Sequence, residues 1–248
     1  KSRSRAARKN AGADAWVSDA TDLSDVAVTE FVGYTDYESE ASILAIIKDG
    51  ERVESAQEGD SVVVVLDKTP FYAESGGQVG DCGTITIGES TFEVAKTTKD
   101  ADGVILHHGV LSGDSVKVGD KAVTSYCEKA RAATMKNHTA AHLLQAALRE
   151  ILGSHVEQAG QLVDKDVVRF DFVHFSALTD EELMKVENRV NEIIMDAVAV
   201  DNREMPIDEA RKLGAMALFS EKYGDVVRVV KAGDFSIELC GGTHAKNT

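Results

Sequence analysis

A change of periodicity near residue 125 restricts this chain more than any other feature. From about 27 to 124, short β-rich runs at 41–47, 61–66, 84–87, 91–94 and 104–106 are cut by Asp49-Gly50, Glu58-Gly-Asp60 and Asp102-Gly103. Valine, isoleucine, threonine and phenylalanine favour a pleated, half-buried surface, and Gly with Asp marks the tight turns between strands. Several short strands at this spacing predict a small β-barrel or sandwich.

Beyond 125 the pattern becomes helical. Ser125-x-x-Glu128 reads as a capping box, and apolar or small residues continue through Leu152 to a terminating Gly153. The span is long enough for one helix, or for two with Asn137 as a second N-cap. A strand is expected at 167–172. A second box, Thr179-x-x-Glu182, opens a helix whose Leu183, Val186, Val190, Ile193, Ile194 and Ala197 repeat at helical spacing. A short helix starts at Pro206 and stops at Gly214, followed by strands at 226–230 and 235–239. Residues 1–20 read as helix that breaks near Trp16. The expected class is therefore α+β: a leader and linker over 1–26, a barrel over 27–124, and a helix-and-sheet domain over 125–248.

Composition narrows the function classes. The formal net charge of −15 argues against a general nucleic-acid binder. Yet Lys1, Arg3, Arg5, Arg8 and Lys9 stand in the first ten positions with no acid, and such an arm either touches RNA backbone or is a solvated helix end. The longest apolar runs are far too short to span a bilayer, so no membrane partner is expected. Three widely spaced cysteines, Cys82, Cys127 and Cys240, form no disulfide framework and fit a reducing, cytoplasmic setting. The start at Lys1, with no signal peptide, is expected for a piece of a longer protein or for a processed product.

Two motifs carry chemistry. In His138-Thr-Ala-Ala-His142 the histidines are four apart, on one face of a helix. In Cys240-Gly-Gly-Thr-His244 the pair flanks a Gly-Gly step where backbone lacking β-carbons folds tightly. Either pair alone is commonplace; together, three imidazoles and a thiolate suit tetrahedral Zn²⁺ better than Mg²⁺ or Ca²⁺. A zinc peptidase carries its general base between the two histidines, and Thr139, Ala140 and Ala141 cannot serve. Four simultaneous ligands would close the zinc and make it structural. A loose one would leave a position for water or a substrate amine.

A third element, Gly76-Gly77-Gln78, lies within residues 71–81. It reads either as a tight β-turn or as backbone and amide presented to a ligand.

In combination, residues 71–81, 137–144, 155–158, 169–172, 217–225 and 238–244 closely resemble the editing region of bacterial alanyl-tRNA synthetases, in order and over nearly the whole chain. Arg5-Ala-Ala-Arg8 and Trp16 look like the end of that family's tRNA-recognition helices. The editing domain of threonyl-tRNA synthetases is similar around the His and Cys/His pairs but lacks this leader. The resemblance implies hydrolysis of mischarged Ser-tRNA(Ala) and Gly-tRNA(Ala), with the tRNA(Ala) acceptor end and the remainder of the synthetase as partners. It implies His138, His142, Cys240 and His244 as zinc ligands, and Gln158 at a position linked to editing. Gly76, Gly77, Gln78, Gly241, Gly242 and Thr243 are the expected substrate-binding positions. Many members carry threonine where this chain has Ala141, so the hydroxyl beside the second histidine is missing here. No ATP-dependent ligation is expected from this stretch.

Overall fold

Residues 21–216 and 224–248 are described by the computed structural model; the basic arm, Arg5, Arg8, Trp16 and the expected leader helix, and most of the 217–225 motif, lie outside the described residues. The chain divides into two units. One takes the residues up to Glu74 with Gly80–Cys127; the other takes Ser75–Val79 with Glu128–Thr248.

In the first unit the short runs become strands β1 (Glu30–Phe31), β2 (Glu38–Lys48), β3 (Glu51–Val53), β4 (Ser55–Ala56), β5 (Ser61–Leu66), β6 (Lys68–Thr69), β7 (Gly83–Ile87), β8 (Ser90–Lys99), β9 (Ile105–Ser112), β10 (Val116–Lys117) and β11 (Lys121–Tyr126). Six of them follow in the order β11-β7-β8-β9-β5-β2, and β2 pairs back onto β11. The ring is antiparallel throughout and closed, so none of its six strands presents an unpaired edge. β3 hangs on β2 through Asp49-Gly50, whose φ angles of 52° and 84° are the left-handed pair of a two-residue hairpin.

β5 is apolar without alternation because both its faces are covered. Val62, Val64 and Leu66 join Ile43, Ile46, Phe71, Ile85, Phe92 and Leu111 in one cluster. Val63 and Val65 pack on the opposite face with Leu23, Ala45, Ile47 and Val104. Each such side chain contributes about 1.5–3 kcal/mol on burial, so a polar substitution anywhere along β5 removes core from one cluster or the other.

Ser125 does not cap a helix. It sits in β11, paired with Thr84 on one side and Glu38 on the other, and its hydroxyl lies 3.2 Å from that of Thr84. Two ladders hold it extended, and the helix starts three residues later.

That helix, α1 (Glu128–Leu152), is a single unbroken element of 25 residues. Asn137 starts no second helix; its side chain donates to the Asp164 carbonyl at 2.8 Å from within the first. A hairpin of β12 (Glu157–Val163) and β13 (Val168–Val173) follows, then α2 (Asp180–Met195), β14 (Val200–Pro206), α3 (Ile207–Lys212), β15 (Val226–Ala232) and β16 (Ser236–Leu239). The last three strands form one antiparallel sheet ordered β14-β15-β16. β12 and β14 are largely polar, which hides them from a search for apolar alternation. The Thr179 capping box closes in both directions: Glu182 N donates to the threonine hydroxyl, and Thr179 N to the glutamate.

Two clusters seat α1. Leu143 packs with Ile193, Val200, Val230 and Ala232, while Ala147 and Leu148 pack with Val156 and Val186. The Gly76-Gly77 step is a tight turn, with φ of 58° and 85° and hydrogen bonds exchanged between Ser75 and Gln78. Backbone bonds from Val79 to Val163 and from Val163 to Gly77 then anchor the segment along the end of β12. Among the described residues no helix is long and apolar enough to cross a membrane.

Candidate metal centre

β16 ends at Leu239 and delivers Cys240 toward the face of α1 that carries His138 and His142. One donor atom from each of His138, His142, Cys240 and His244 lies within 4.8 Å of the others. His244 Nε2 is 3.3 Å from Cys240 Sγ, and His138 Nε2 is 3.6 Å from it. The three imidazoles are buried and the cysteine half-buried.

The approach depends on glycine at 242. A β-carbon there would stand 2.1 Å from His138 Cε1 and 2.9 Å from Gln78 Oε1, well inside any real contact. Gly242 N donates to Cys240 Sγ at 3.3 Å, turning the backbone toward the sulfur. From β15, Arg228 Nη1 donates to the carbonyls of Cys240 at 3.1 Å and Gly242 at 2.6 Å, which clamps the same turn.

A second layer orients the imidazoles. Gln78 is fully buried, and its Oε1 accepts from Thr243 N and faces His138 Nδ1, both at 2.8 Å. Its Nε2 donates to Thr243 Oγ1 at 2.9 Å. Because the amide oxygen faces the ring, Nδ1 carries the proton and Nε2 keeps its lone pair for the cluster. Thr139 Oγ1 accepts from Ala245 N at 3.1 Å and lies 3.3 Å from His244 Nδ1. His142 Nε2 lies 3.5 Å from Glu238 Oε2, and its Nδ1 is buried with no hydrogen-bond partner among the described residues.

Electrostatics point the same way. Burial, then the Arg228 guanidinium, pushes His138 down to about 4. Burial and the neighbouring imidazoles hold His142 and His244 well below the usual histidine value. All three are neutral at pH 7, the form that ligates metal. Burial pushes the Glu238 carboxyl up to about 8. Three neutral imidazoles and a sulfur converging around an orphaned ring nitrogen fit a Zn²⁺-type ion.

The expected substrate-binding positions fall into an exposed and a buried group. Gly76 and Gly241 are exposed, whereas Gly242, Gln78 and Thr243 are buried and engaged with His138 and with one another. A Cβ on Gly77 would meet Gln161 at 2.5 Å, so that glycine is set by packing against β12. Gln158 stands on β12 opposite Phe172, where the ladder register shifts. It is half-buried, and its Nε2 has no hydrogen-bond partner among the described residues. Ala141 is buried beside His142.

Thr139, Arg228 and Glu238 complete the centre and were not expected from the sequence. The latter two carried a signal: each is a charged residue inside a short apolar strand, and Glu238 falls on the buried face of β16 with Ser236 and two residues before Cys240.

A family model described as tRNA synthetases class II (A) matches residues 1–130. A second, the threonyl and alanyl tRNA synthetase second additional domain, matches residues 227–248. The chain is 55% identical over 235 residues to the alanine–tRNA ligase of Acetivibrio thermocellus, covering 94% of this chain and 27% of that protein. Identity to the alanine–tRNA ligase of Clostridioides difficile is 47% over 249 residues, covering 100% and 28%. For that of Pelotomaculum thermopropionicum it is 50% over 224 residues, covering 90% and 26%. The chain thus spans about a quarter of the length of the curated relatives it matches.

Proposed function

The chain belongs to the alanyl-tRNA synthetase family, the class II (A) tRNA synthetases, and from that premise we propose that its second unit hydrolyses Ser-tRNA(Ala) and Gly-tRNA(Ala). The observation that carries this reading is the convergence of Cys240 and His244, within the stretch matched to the second additional domain, on the His138–His142 pair of α1. The task makes physical sense. A pocket for alanine cannot strongly exclude the smaller glycine, and a single added hydroxyl is also hard to reject. A second site that hydrogen-bonds the serine hydroxyl reverses the preference, because alanine leaves its polar groups unpaired.

His138, His142, Cys240 and His244 would hold Zn²⁺, which when bound supplies a fixed positive charge that anchors a polar group of the aminoacyl-adenosine end. Gln78, held in place by Thr243, keeps His138 in its tautomer; Arg228 fixes the turn so that the exposed Gly241 backbone is presented in one conformation. Gln158, with an uncommitted buried amide nitrogen, orients the water or carbonyl of the ester. The acceptor end of tRNA(Ala) is the partner, and the rest of the synthetase holds the tRNA body.

A second reading is favoured by the donor set itself. Four ligands leave tetrahedral zinc closed, which would make this unit a zinc-stabilised module that binds the acceptor end without turnover. Deacylation of mischarged Ser-tRNA(Ala) separates the two. Turnover by the wild type, abolished in a folded Cys240→Ala variant, supports hydrolysis; binding without turnover supports the module. Full activity in folded, zinc-free Cys240→Ala protein overturns the metal-dependent reading.

A further inference from the structure

Cys82 and Cys127 lie far apart in sequence, and all three cysteines are free thiols. Strand pairing nonetheless brings these two face to face. β7 and β11 run antiparallel and their register ends with Gly83 opposite Tyr126, so Cys82 and Cys127 are the next residue on either side. One backbone bond joins them directly: Cys127 N donates to the Cys82 carbonyl at 2.7 Å. Neighbours across an antiparallel pair present their side chains to the same face, and the Cys127 thiol lies near enough to be among the groups that raise that of Cys82. Directly opposite residues at a hydrogen-bonded antiparallel position have Cα atoms about 5.5 Å apart, within the roughly 4.4–6.8 Å that a disulfide spans. Cys127 is exposed and Cys82 half-buried.

We propose that Cys82 and Cys127 form a reversible disulfide, a redox-modification site at the strand end leading into α1. The oxidant is a low-molecular-weight disulfide. The exposed Cys127 thiolate attacks one of its sulfurs, forming a mixed disulfide and releasing one small thiol. Cys82, as its thiolate, then attacks the Cys127 sulfur and expels the second. One S–S bond is broken and one formed; two protein thiols are oxidised, and their two protons and two electrons leave on two small thiols. Burial, with Cys127 and Asp81 nearby, raises the Cys82 thiol above its ordinary range, which assigns first attack to Cys127 and resolution to Cys82. The site is independent of the centre at Cys240 and of the editing reading.

The test uses the whole chain incubated with oxidised glutathione, quenched by alkylation and mapped by peptide mass spectrometry. The expected product is a peptide linking Cys82 to Cys127, lighter by two hydrogens, exceeding glutathionylated Cys127 by about tenfold or more because the second thiol attacks intramolecularly. A reductant should restore both thiols. In Cys82→Ser, glutathione should remain on Cys127. Retention of glutathione on Cys127 in the wild type, both thiols still alkylatable, or linkage of either to Cys240 would each overturn the proposal, as would loss of glutathione from Cys82→Ser at the wild-type rate.

Discussion

His107 in the barrel and His138 in the second unit are both buried, and burial pushes both down to about 4. Their surroundings differ in one decisive respect. His107 has both ring nitrogens engaged, Nδ1 with the Val64 carbonyl at 2.9 Å and Nε2 with the Thr69 hydroxyl at 2.8 Å, while Phe71 meets its ring edge-on. It is a satisfied core group. His138 has only Nδ1 tied outward, to Gln78, and its Nε2 faces the Cys240 sulfur with two further imidazoles around it. Burial alone therefore does not distinguish a site. What distinguishes it is several neutral donors turned on one point, with His138, His244 and Cys240 held from behind by Gln78, Thr139 and the Gly242 N–H.

The harshest way to break that arrangement leaves its donors untouched. Gly242→Ala adds a methyl 2.1 Å from His138 Cε1 and 2.4 Å from its Nδ1, with the buried Gln78 amide oxygen at 2.9 Å. The ring and the turn cannot both stay. Metal content by mass spectrometry should fall to background and deacylation should vanish, while hydrogen exchange in the barrel stays as in the wild type. A Gly242→Ala protein that retains full metal would show that the turn is not where the structure puts it.

Acid separates the two histidines next. His107 has a folded pKa of about 4 against an ordinary 6.5, so between those values the unfolded chain takes up a proton that the folded barrel refuses. Its contribution is complete above about pH 6.5 and falls as the pH drops toward 4, by about 3 kcal/mol in all. Hydrogen exchange over β5 and β9 should accelerate across that window, and added Zn²⁺ should not reverse it. Exchange over α1 and β16 should accelerate too, but there excess Zn²⁺ should restore protection by holding the imidazoles neutral. Equal rescue of both units, or of neither, would erase the contrast.

A gentler cut removes the support behind one ligand. Gln78→Ala deletes the oxygen that sets the His138 tautomer and the amide that holds Thr243, and leaves all four donors in place. Metal affinity should drop roughly 10–100-fold, the usual range for a lost outer partner. Competitive chelator titration reads this directly, and an unchanged affinity would return Gln78 to a role in contacting substrate.

Much of this was legible before any coordinates. The β-run of 61–66, the Asp49-Gly50 turn and the four converging donors follow from alternation, turn chemistry and ligand type. What stayed hidden shares a physical cause: it depends on contacts between distant segments. Ser125 matches a capping box in sequence, yet two strand ladders claim it. Gln78 sits in a glycine-rich turn that looks made for a ligand, yet its amide faces inward to a residue on α1. β12 and β14 escaped because polar strands at the side of a small sheet carry no apolar rhythm. Local signals survive only where tertiary pairing agrees with them.

Thr179 is a place where they do agree, and it supplies the mildest test. Its capping box is complete, and α2 bears no donor of the metal cluster. Thr179→Ala should remove the bond to Glu182 N and cost about 1 kcal/mol of stability. α2 does pack on α1 through Ile193 and Val186, so any conduction of helix fraying to the centre would pass through those contacts. A loss of about 1 kcal/mol in urea unfolding with unchanged metal affinity would show that the donors are held by their own second layer of Gln78, Thr139 and Arg228. A parallel fall in metal affinity would instead make the α1–α2 packing part of the centre.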